Sequence, residues 1–476
     1  MQLTRRIFFV LFGLTALVAV GSFWAQLPGL VGRNGVAPAG QLIDALHRAN
    51  DLSFWELPTL AWLSSADWLL HVLCALGVAS SLALILGLGP RLACLVLWAS
   101  WLSLTQVCHP FLDFQWDILL TEAAFFAALY APGGWRGRWE EEPLPVARFL
   151  MAWLACKVTL ESGLVKLGSG DPAWRDLTAL TYHWWTQPLP TWSSHLFAAL
   201  PLAVQKALCA AMFVLELPIP LMALGPRRLR LVSAVGLMAL QAGLFAAGNY
   251  SYYNVLTFVL AVPLLDDAAL ERVLPSFFFP SRPVGEERMS PAGWMVALLV
   301  VALGAGMFTR RSLAKTQVGP VLSAVARFET INAYGAFAWM TKTRPEILIE
   351  GTVDGVEWRE YEFPYKPGRL DRRPVFVAPW QPRLDWQMWF AALGECSENP
   401  WLLSTQRQLL LGVPEVLALF ETNPFPDGPP KVIRTRTFEY RFAPWSEAGV
   451  WWTRTETGPY CPPLMLGPGG QLIRAP

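Results

Sequence analysis

Over its first two thirds the chain alternates long apolar runs with short charged connectors, and then its pattern changes. A membrane-spanning helix needs roughly 17–25 mostly apolar residues. Nine stretches meet or approach that length, at about 7–25, 67–88, 92–108, 114–131, 148–165, 203–224, 230–247, 251–265 and 291–308. Those at 114–131, 251–265 and 291–308 are short or interrupted, so the pattern predicts seven to nine spans. The first run follows Arg5 and Arg6, as in a signal peptide, but no convincing small-x-small cleavage site follows before Phe23–Trp24. That predicts an uncleaved anchor. Past Lys315 the period shortens. Residues 346–350 and 356–363 alternate apolar and polar, as half-buried strands do, with a hairpin turn at Asp354–Gly355 between them. Residues 384–393 and 400–411 follow helical spacing, and 432–442 alternate again.

Composition supports this division. Of 476 residues, 54% are hydrophobic and 15% charged, against about 25% charged in a typical soluble protein. The first 315 residues hold 40 charged side chains, while the last 161 hold 33. The predicted fold is a polytopic α-helical membrane domain, residues 1–315, followed by a C-terminal β-rich (α+β) domain, residues 316–476, in water. High hydropathy excludes a disordered chain, and a net charge of +1 leaves no basic excess for nucleic acid. Seven cysteines make no disulfide scaffold.

Loop charge sets the threading, because Lys and Arg accumulate on the cytoplasmic side. With Arg5 and Arg6 inside, Arg91, Arg136, Arg138, Arg148, Arg227, Arg228, Arg230, Arg272, Arg282 and Arg288 are inside as well. The outer loops then carry Arg33, Arg48, Lys166, Arg175 and Lys206. Arg310, Arg311 and Lys315 oppose this at the last crossing, and a failed ninth span moves the tail to the cytoplasm. With nine spans the tail is extracytoplasmic, on the same side as the Trp- and Pro-rich loop 166–201.

Ionisable residues at membrane depth are costly and mark either buried pairs or function. Asp117, Glu122, Lys157, Glu161 and Glu216 qualify, with Gln241 and Asn254 as neutral companions. Lys157 and Glu161 share a helix face, and one reading has them neutralise each other and tie spans four to six together. The other is a polar cavity opening outward near Asp117, Glu161 and Lys166, which makes Asp117, Glu122, Glu161 and Lys166 the catalytic candidates. Neither a metal nor a cofactor is expected: no His-x-x-x-His, Cys-x-x-Cys, P-loop, dinucleotide or Gly-x-Ser-x-Gly motif occurs. Cys74, Cys94, Cys156 and Cys209 read as small hydrophobes within apolar spans. Cys396 and Cys461 can pair in an oxidising compartment. Asn249–Tyr250–Ser251 matches an N-glycosylation sequon but abuts a span.

One outer stretch reads Ser162-Gly-Leu-Val-Lys-Leu-Gly-Ser-Gly-Asp-Pro-Ala-Trp-Arg-Asp-Leu-Thr-Ala-Leu-Thr-Tyr-His-Trp-Trp-Thr-Gln-Pro-Leu-Pro190. Together with Phe114-Gln-Trp-Asp117, Gly248-Asn-Tyr-Ser-Tyr-Tyr-Asn254, Tyr334-Gly-Ala-Phe and Gln381-Pro-Arg-Leu-Asp-Trp-Gln-Met-Trp-Phe390, it resembles the lipase maturation factor family. The likeness runs from about residue 30 to 442. It implies a multi-spanning protein that helps secreted dimeric lipases fold, with its C-terminal domain in the lumen of the endoplasmic reticulum. Compact length and the lack of a retrieval signal point to a bacterial member, in which the tail is periplasmic. The expected function is therefore membrane-embedded maturation of secreted, lipase-like clients, with the bilayer as the other partner. The alternative is a membrane enzyme acting from an outward polar pocket on a lipid or an exported protein. Asp171, Trp174, Arg175, Tyr182, His183, Gln187, Asn249, Tyr250, Arg383 and Trp386 are the expected partner-binding residues. Trp358, Tyr361, Trp386 and Trp389 belong either to the core of the tail or to an aromatic capture surface.

Overall fold

A computed structural model describes residues 2–49, 53–272, 288–447 and 449–475. Each of the nine apolar stretches lies on a helix, and each helix here is named α1 to α9 in chain order. They are α1 (Gln2–Leu30), α2 (Asp67–Leu86), α3 (Pro90–Thr105), α4 (Gln115–Tyr130), α5 (Pro145–Gly168), α6 (Leu202–Glu216), α7 (Arg227–Ala247), α8 (Tyr253–Leu260) and α9 (Pro291–Phe308). The chain turns sharply from α2 into α3 through Gly87 and Gly89, at φ of 71° and 47°, before Pro90 starts the next helix.

Among the described residues, five helical segments are long and apolar enough to cross a membrane: Gln2–Leu30, Asp67–Leu86, Leu202–Leu224, Arg227–Ala247 and Pro291–Phe308. The expected seven to nine thus stand at five by length and composition. Helices α3 and α4 have 16 residues each and α8 has 8. Helix α5 has 24 but carries Lys157, Glu161 and Lys166, all buried. Arg282, counted in the threading, lies outside the described residues.

At the end of the bundle predicted to be cytoplasmic, Arg5 is buried rather than splayed into water. Its guanidinium donates to Glu141 O at 2.5 Å and to Tyr130 O at 2.9 Å, capping the C-terminus of α4.

The tail is a six-stranded antiparallel sheet with helices. Its strands are β1 (Pro345–Thr352), β2 (Arg359–Glu360), β3 (Val432–Phe442), β4 (Trp452–Pro459), β5 (Leu464–Leu466) and β6 (Leu472–Arg474), in the order β2-β1-β3-β5-β6, with β4 also on β3. The Asp354–Gly355 turn forms as the sequence predicts. Gly355 sits at φ 81°, and Asp354 Oδ1 accepts from Val356 N and Glu357 N at 2.8 and 2.9 Å. The second strand is shorter than the alternation over 356–363 suggests, pairing only Glu350 with Glu360 and Gly351 with Arg359. Helices α10 (Arg383–Ala392) and α11 (Pro400–Leu410) match the helical spacing.

A disulfide joins Cys396, between those helices, to Cys461, beyond β4. It closes a separation of 65 residues, which in the chain-entropy account is worth about 4 kcal/mol. Cys461→Ala is expected to lower the unfolding midpoint of the tail, read by near-ultraviolet circular dichroism. An unchanged midpoint would show that the bridge does not form.

Candidate functional site

The membrane-depth charges find partners, and many of those partners come from the tail. Asp117, in the first turn of α4, is fully buried, and so is Arg383, the first residue of α10. They form a two-pronged pair, Nη1 to Oδ2 and Nη2 to Oδ1, each at 2.9 Å. Such forked contacts fit a planar guanidinium against a carboxylate. Tyr252 OH also donates to Asp117 Oδ1 at 2.6 Å, and Arg383 Nη1 donates to Phe111 O at 2.5 Å. On the α1 side, Gln26 holds the same stretch by both ends of its amide, donating to Gln381 O at 2.7 Å and accepting from Arg383 N at 2.9 Å. The rings of Phe23, Trp101 and Phe114 surround the guanidinium at 5.3–5.9 Å.

A second set lies between α4 and α5. Lys157 Nζ donates to Glu122 Oε1 at 2.5 Å and to Asn332 O at 3.0 Å. Glu122 Oε2 accepts from Asn332 N and Nδ2, both at 3.1 Å, and from Tyr334 OH at 2.6 Å. Glu161 Oε2 accepts from Tyr334 N at 2.7 Å. Lys157 thus reaches across to Glu122 on the neighbouring helix instead of down its own to Glu161, where Lys-before-Glu is the weaker order. The segment 329–341 acts as a strap over these carboxylates. At its start Glu329 is buried against Thr105 and Gln106, 3.0 Å from each hydroxyl or amide, and burial pushes its carboxyl up to about 7.

Loop 166–201 packs inward as short helices. Lys166 donates to both oxygens of Glu216 at 2.8 Å, tying α5 to α6. Asp171 caps Pro172–Arg175 through Ala173 N at 2.9 Å and accepts from Met340 N of the strap at 2.7 Å. Trp174 Nε1 donates to Phe337 O at 3.0 Å. His183 is buried, which pushes its imidazole down to about 3, helped by the charge on Lys166. It lies 2.6 Å from Tyr250 OH, which donates to Gln187 Oε1 at 2.7 Å. Gln187 Nε2 donates to Ser194 and to Ala247 O. Asn249 is the hinge pin on the tail. Its amide donates to Val375 O at 2.8 Å, and its carbonyl accepts from Val377 N and Ala378 N at 2.8 and 3.1 Å. That buried network leaves the sequon asparagine no room for a glycan.

Arg175 is exposed, and Tyr182 is half-buried with the Lys342 ammonium 5.9 Å from its ring centre. Trp386 is buried, as are Tyr361 and Trp389, while Trp358 is half-buried under the Arg434 guanidinium at 3.9 Å. Of these four, Tyr361 packs within the tail, against Phe420 and Phe425, whereas Trp386 and Trp389 are buried against the membrane domain, on Phe114 and Trp116 and on Thr186 O.

Sequence reasoning missed Arg344, which is fully buried before β1. It donates to Trp185 O and Pro188 O at 2.8 Å, and also to Gln187 O. It pairs with Glu346 at 2.8 Å, which in turn holds Lys366 at 2.9 Å. An Arg directly before a Pro and a strand carries no local signal of this. Asn332 and Tyr334 were missed as well, although Tyr334 begins one of the strings that carry the resemblance.

Between the strap, loop 166–201 and helices α5, α6, α7 and α10 is a chamber of about 910 Å³. Its wall is mainly apolar and aromatic, with Trp174, Trp184, Phe337, Trp386 and Trp389. The Lys166–Glu216 pair also lines it, whereas Asp117, Glu122 and Glu161 do not. Among the described residues no cluster of His, Cys, Asp or Glu could hold a metal ion. The arrangement can enclose an apolar group, and its charged residues cross-link the membrane domain to the tail.

Comparison with known proteins agrees in extent. Residues 3–272 match the lipase maturation factor transmembrane domain, and residues 330–462 match the lipase maturation factor C-terminal domain. Human (Homo sapiens) lipase maturation factor 2 is 31% identical, covering 98% of this chain and 83% of the relative. Chicken (Gallus gallus) lipase maturation factor 2 is 32% identical over 97% and 81%. Human lipase maturation factor 1 is 30% identical over 98% and 88%. These relatives are vertebrate proteins and lend no support to the expected bacterial origin. No solved structure matches the chain. Matched along nearly its whole length in both parts, the chain belongs to the lipase maturation factor family.

Proposed function

We propose that this protein is an integral membrane maturation factor for secreted lipase-like proteins, working on the extracytoplasmic side. The observation that carries this reading is the full-length match to lipase maturation factors, membrane part and tail together. Placement of the tail outside draws support from the Cys396–Cys461 disulfide, since disulfides persist in oxidising compartments. The excess of Lys and Arg in the opposite loops supports the same side. The compartment is then the lumen of the endoplasmic reticulum, or the periplasm if the source is bacterial.

The membrane-enzyme alternative is not favoured. It relied on Asp117, Glu122, Glu161 and Lys166, each of which is engaged by an internal partner. A maturation factor needs no reactive group. It needs a rigid, membrane-anchored surface on which a client's apolar patches are held apart, and the clamped tail supplies one.

The test is to remove the gene from its host and co-express a secreted dimeric lipase. The expected result is inactive, retained lipase, with activity restored by the intact chain. Normal secreted lipase activity without the chain would overturn the proposal.

A further inference from the structure

We propose that the chamber is a binding site for an uncharged lipid with a single long alkyl chain and a small hydroxyl-bearing head. The inference stands apart from the maturation role and rests on the chamber alone. Its volume, about 910 Å³, is near the top of the range of about 300–1,000 Å³ seen for small-molecule sites. Mostly apolar walls of that size suit an alkyl chain, whose burial is worth about 0.8 kcal/mol per methylene.

Charge decides the head. The chamber's charged lining residues are Asp113, Lys166 and Glu216. Lys166 faces both oxygens of Glu216 at 2.8 Å, so the pair cancels. Asp113 is exposed and bonded to His109. Among the described residues lining the chamber no cation is left over for a phosphate or a fatty-acid carboxylate, and burying such a head unpaired is costly. Neutral hydrogen-bonding groups line it at Thr159 and Gln241. Gln241 uses its carbonyl to accept from Asn254 Nδ2 at 2.9 Å, which directs its amide protons elsewhere. A hydroxyl is the matching head.

Position decides the source. Helices α6 and α7, which form one wall, belong to the segments long enough to span the bilayer. Leu208, Ala211 and Gly243 on those helices both line the chamber and are exposed. At Gly243 a Cβ would meet nothing within 4 Å, so the wall is notched there. Bilayer lipid is the amphiphile at hand. A client peptide fits less well, because each buried residue would bring a backbone amide to a wall with few polar groups.

The experiment uses the full chain in mild detergent with a bromine-substituted monoacylglycerol, whose bromines quench tryptophan fluorescence. Trp174, Trp184, Trp386 and Trp389 are the reporters. Saturable quenching is expected, about ten-fold weaker for the corresponding fatty-acid anion and about ten-fold weaker in Gly243→Leu, which fills the notch. Gln241→Leu keeps the chamber's volume and is expected to weaken the monoacylglycerol while leaving the anion unchanged. Thermal unfolding of each variant confirms that it is folded; if Gly243→Leu does not fold, Gln241→Leu decides. Quenching that never saturates, equal quenching in the folded variants, or anion binding as tight as the monoacylglycerol overturns the proposal. So does displacement of the lipid by an apolar lipase peptide of equal affinity.

Discussion

Replacing Arg383 by Met is expected to destabilise the whole chain by about 3–5 kcal/mol, the usual consequence of removing one partner from a buried ion pair. The substitution leaves Asp117 fully buried with Tyr252 as its remaining side-chain donor, and strips a donor from Phe111 O. The companion variant Asp117→Leu/Arg383→Met is expected to regain most of the loss, because no charge is then stranded. Unfolding in mixed detergent, followed by tryptophan fluorescence, measures both. Should Arg383→Met unfold within about 1 kcal/mol of the parent, the pair is an ornament and the tail is held by other contacts.

The second large effect is expected from truncation. A chain ending at Lys315 loses Arg383, Asn332 and Tyr334 together, and with them the main partners of Asp117, Glu122 and Glu161. Each buried polar group left without its partner costs about 1–3 kcal/mol, and more when charged. For three such groups the cost is comparable to the margin of about 5–15 kcal/mol by which most domains are stable, before any lost packing is counted. Such a fragment is expected to aggregate on size-exclusion chromatography in mild detergent, where the full chain elutes as one peak. A fragment ending at residue 341 keeps the strap and is expected to fall between the two. A monodisperse, cooperatively melting fragment 1–315 would refute the idea that the strap completes the membrane domain.

Much of the architecture is legible in the sequence because it is local. The helices under the nine apolar stretches, the Asp354–Gly355 turn and the helical spacing at 384–393 each depend on residues a few positions apart, and each of these elements forms. Span number is less legible. Helices α4 and α8 bury most of their apolar side chains against protein, whereas α3 exposes Leu92 and Leu95, and a hydropathy window does not distinguish protein from lipid. The partners of the buried charges were not legible at all. Arg383 sits in a motif string, yet nothing nearby says that its carboxylate is 266 residues upstream. For the same reason Arg383, Asn249 and His183 read from sequence as contacts for a partner, while the fold uses them internally. Long-range pairing erases the local signal, and a single sequence offers no second one.

The strap and the Arg383 clamp also order events in time. Chains are made from the N-terminus at about 5–20 residues per second, so Asp117 is in place some tens of seconds before Arg383 exists. Glu122 can take Lys157 early, only 35 residues on, but waits for Asn332 and Tyr334. For that interval the nascent protein holds an open seam facing the side where its tail will arrive. A factor that matures other proteins is thus, during its own synthesis, a substrate in need of escort, and any pause in translation after residue 315 prolongs that dependence.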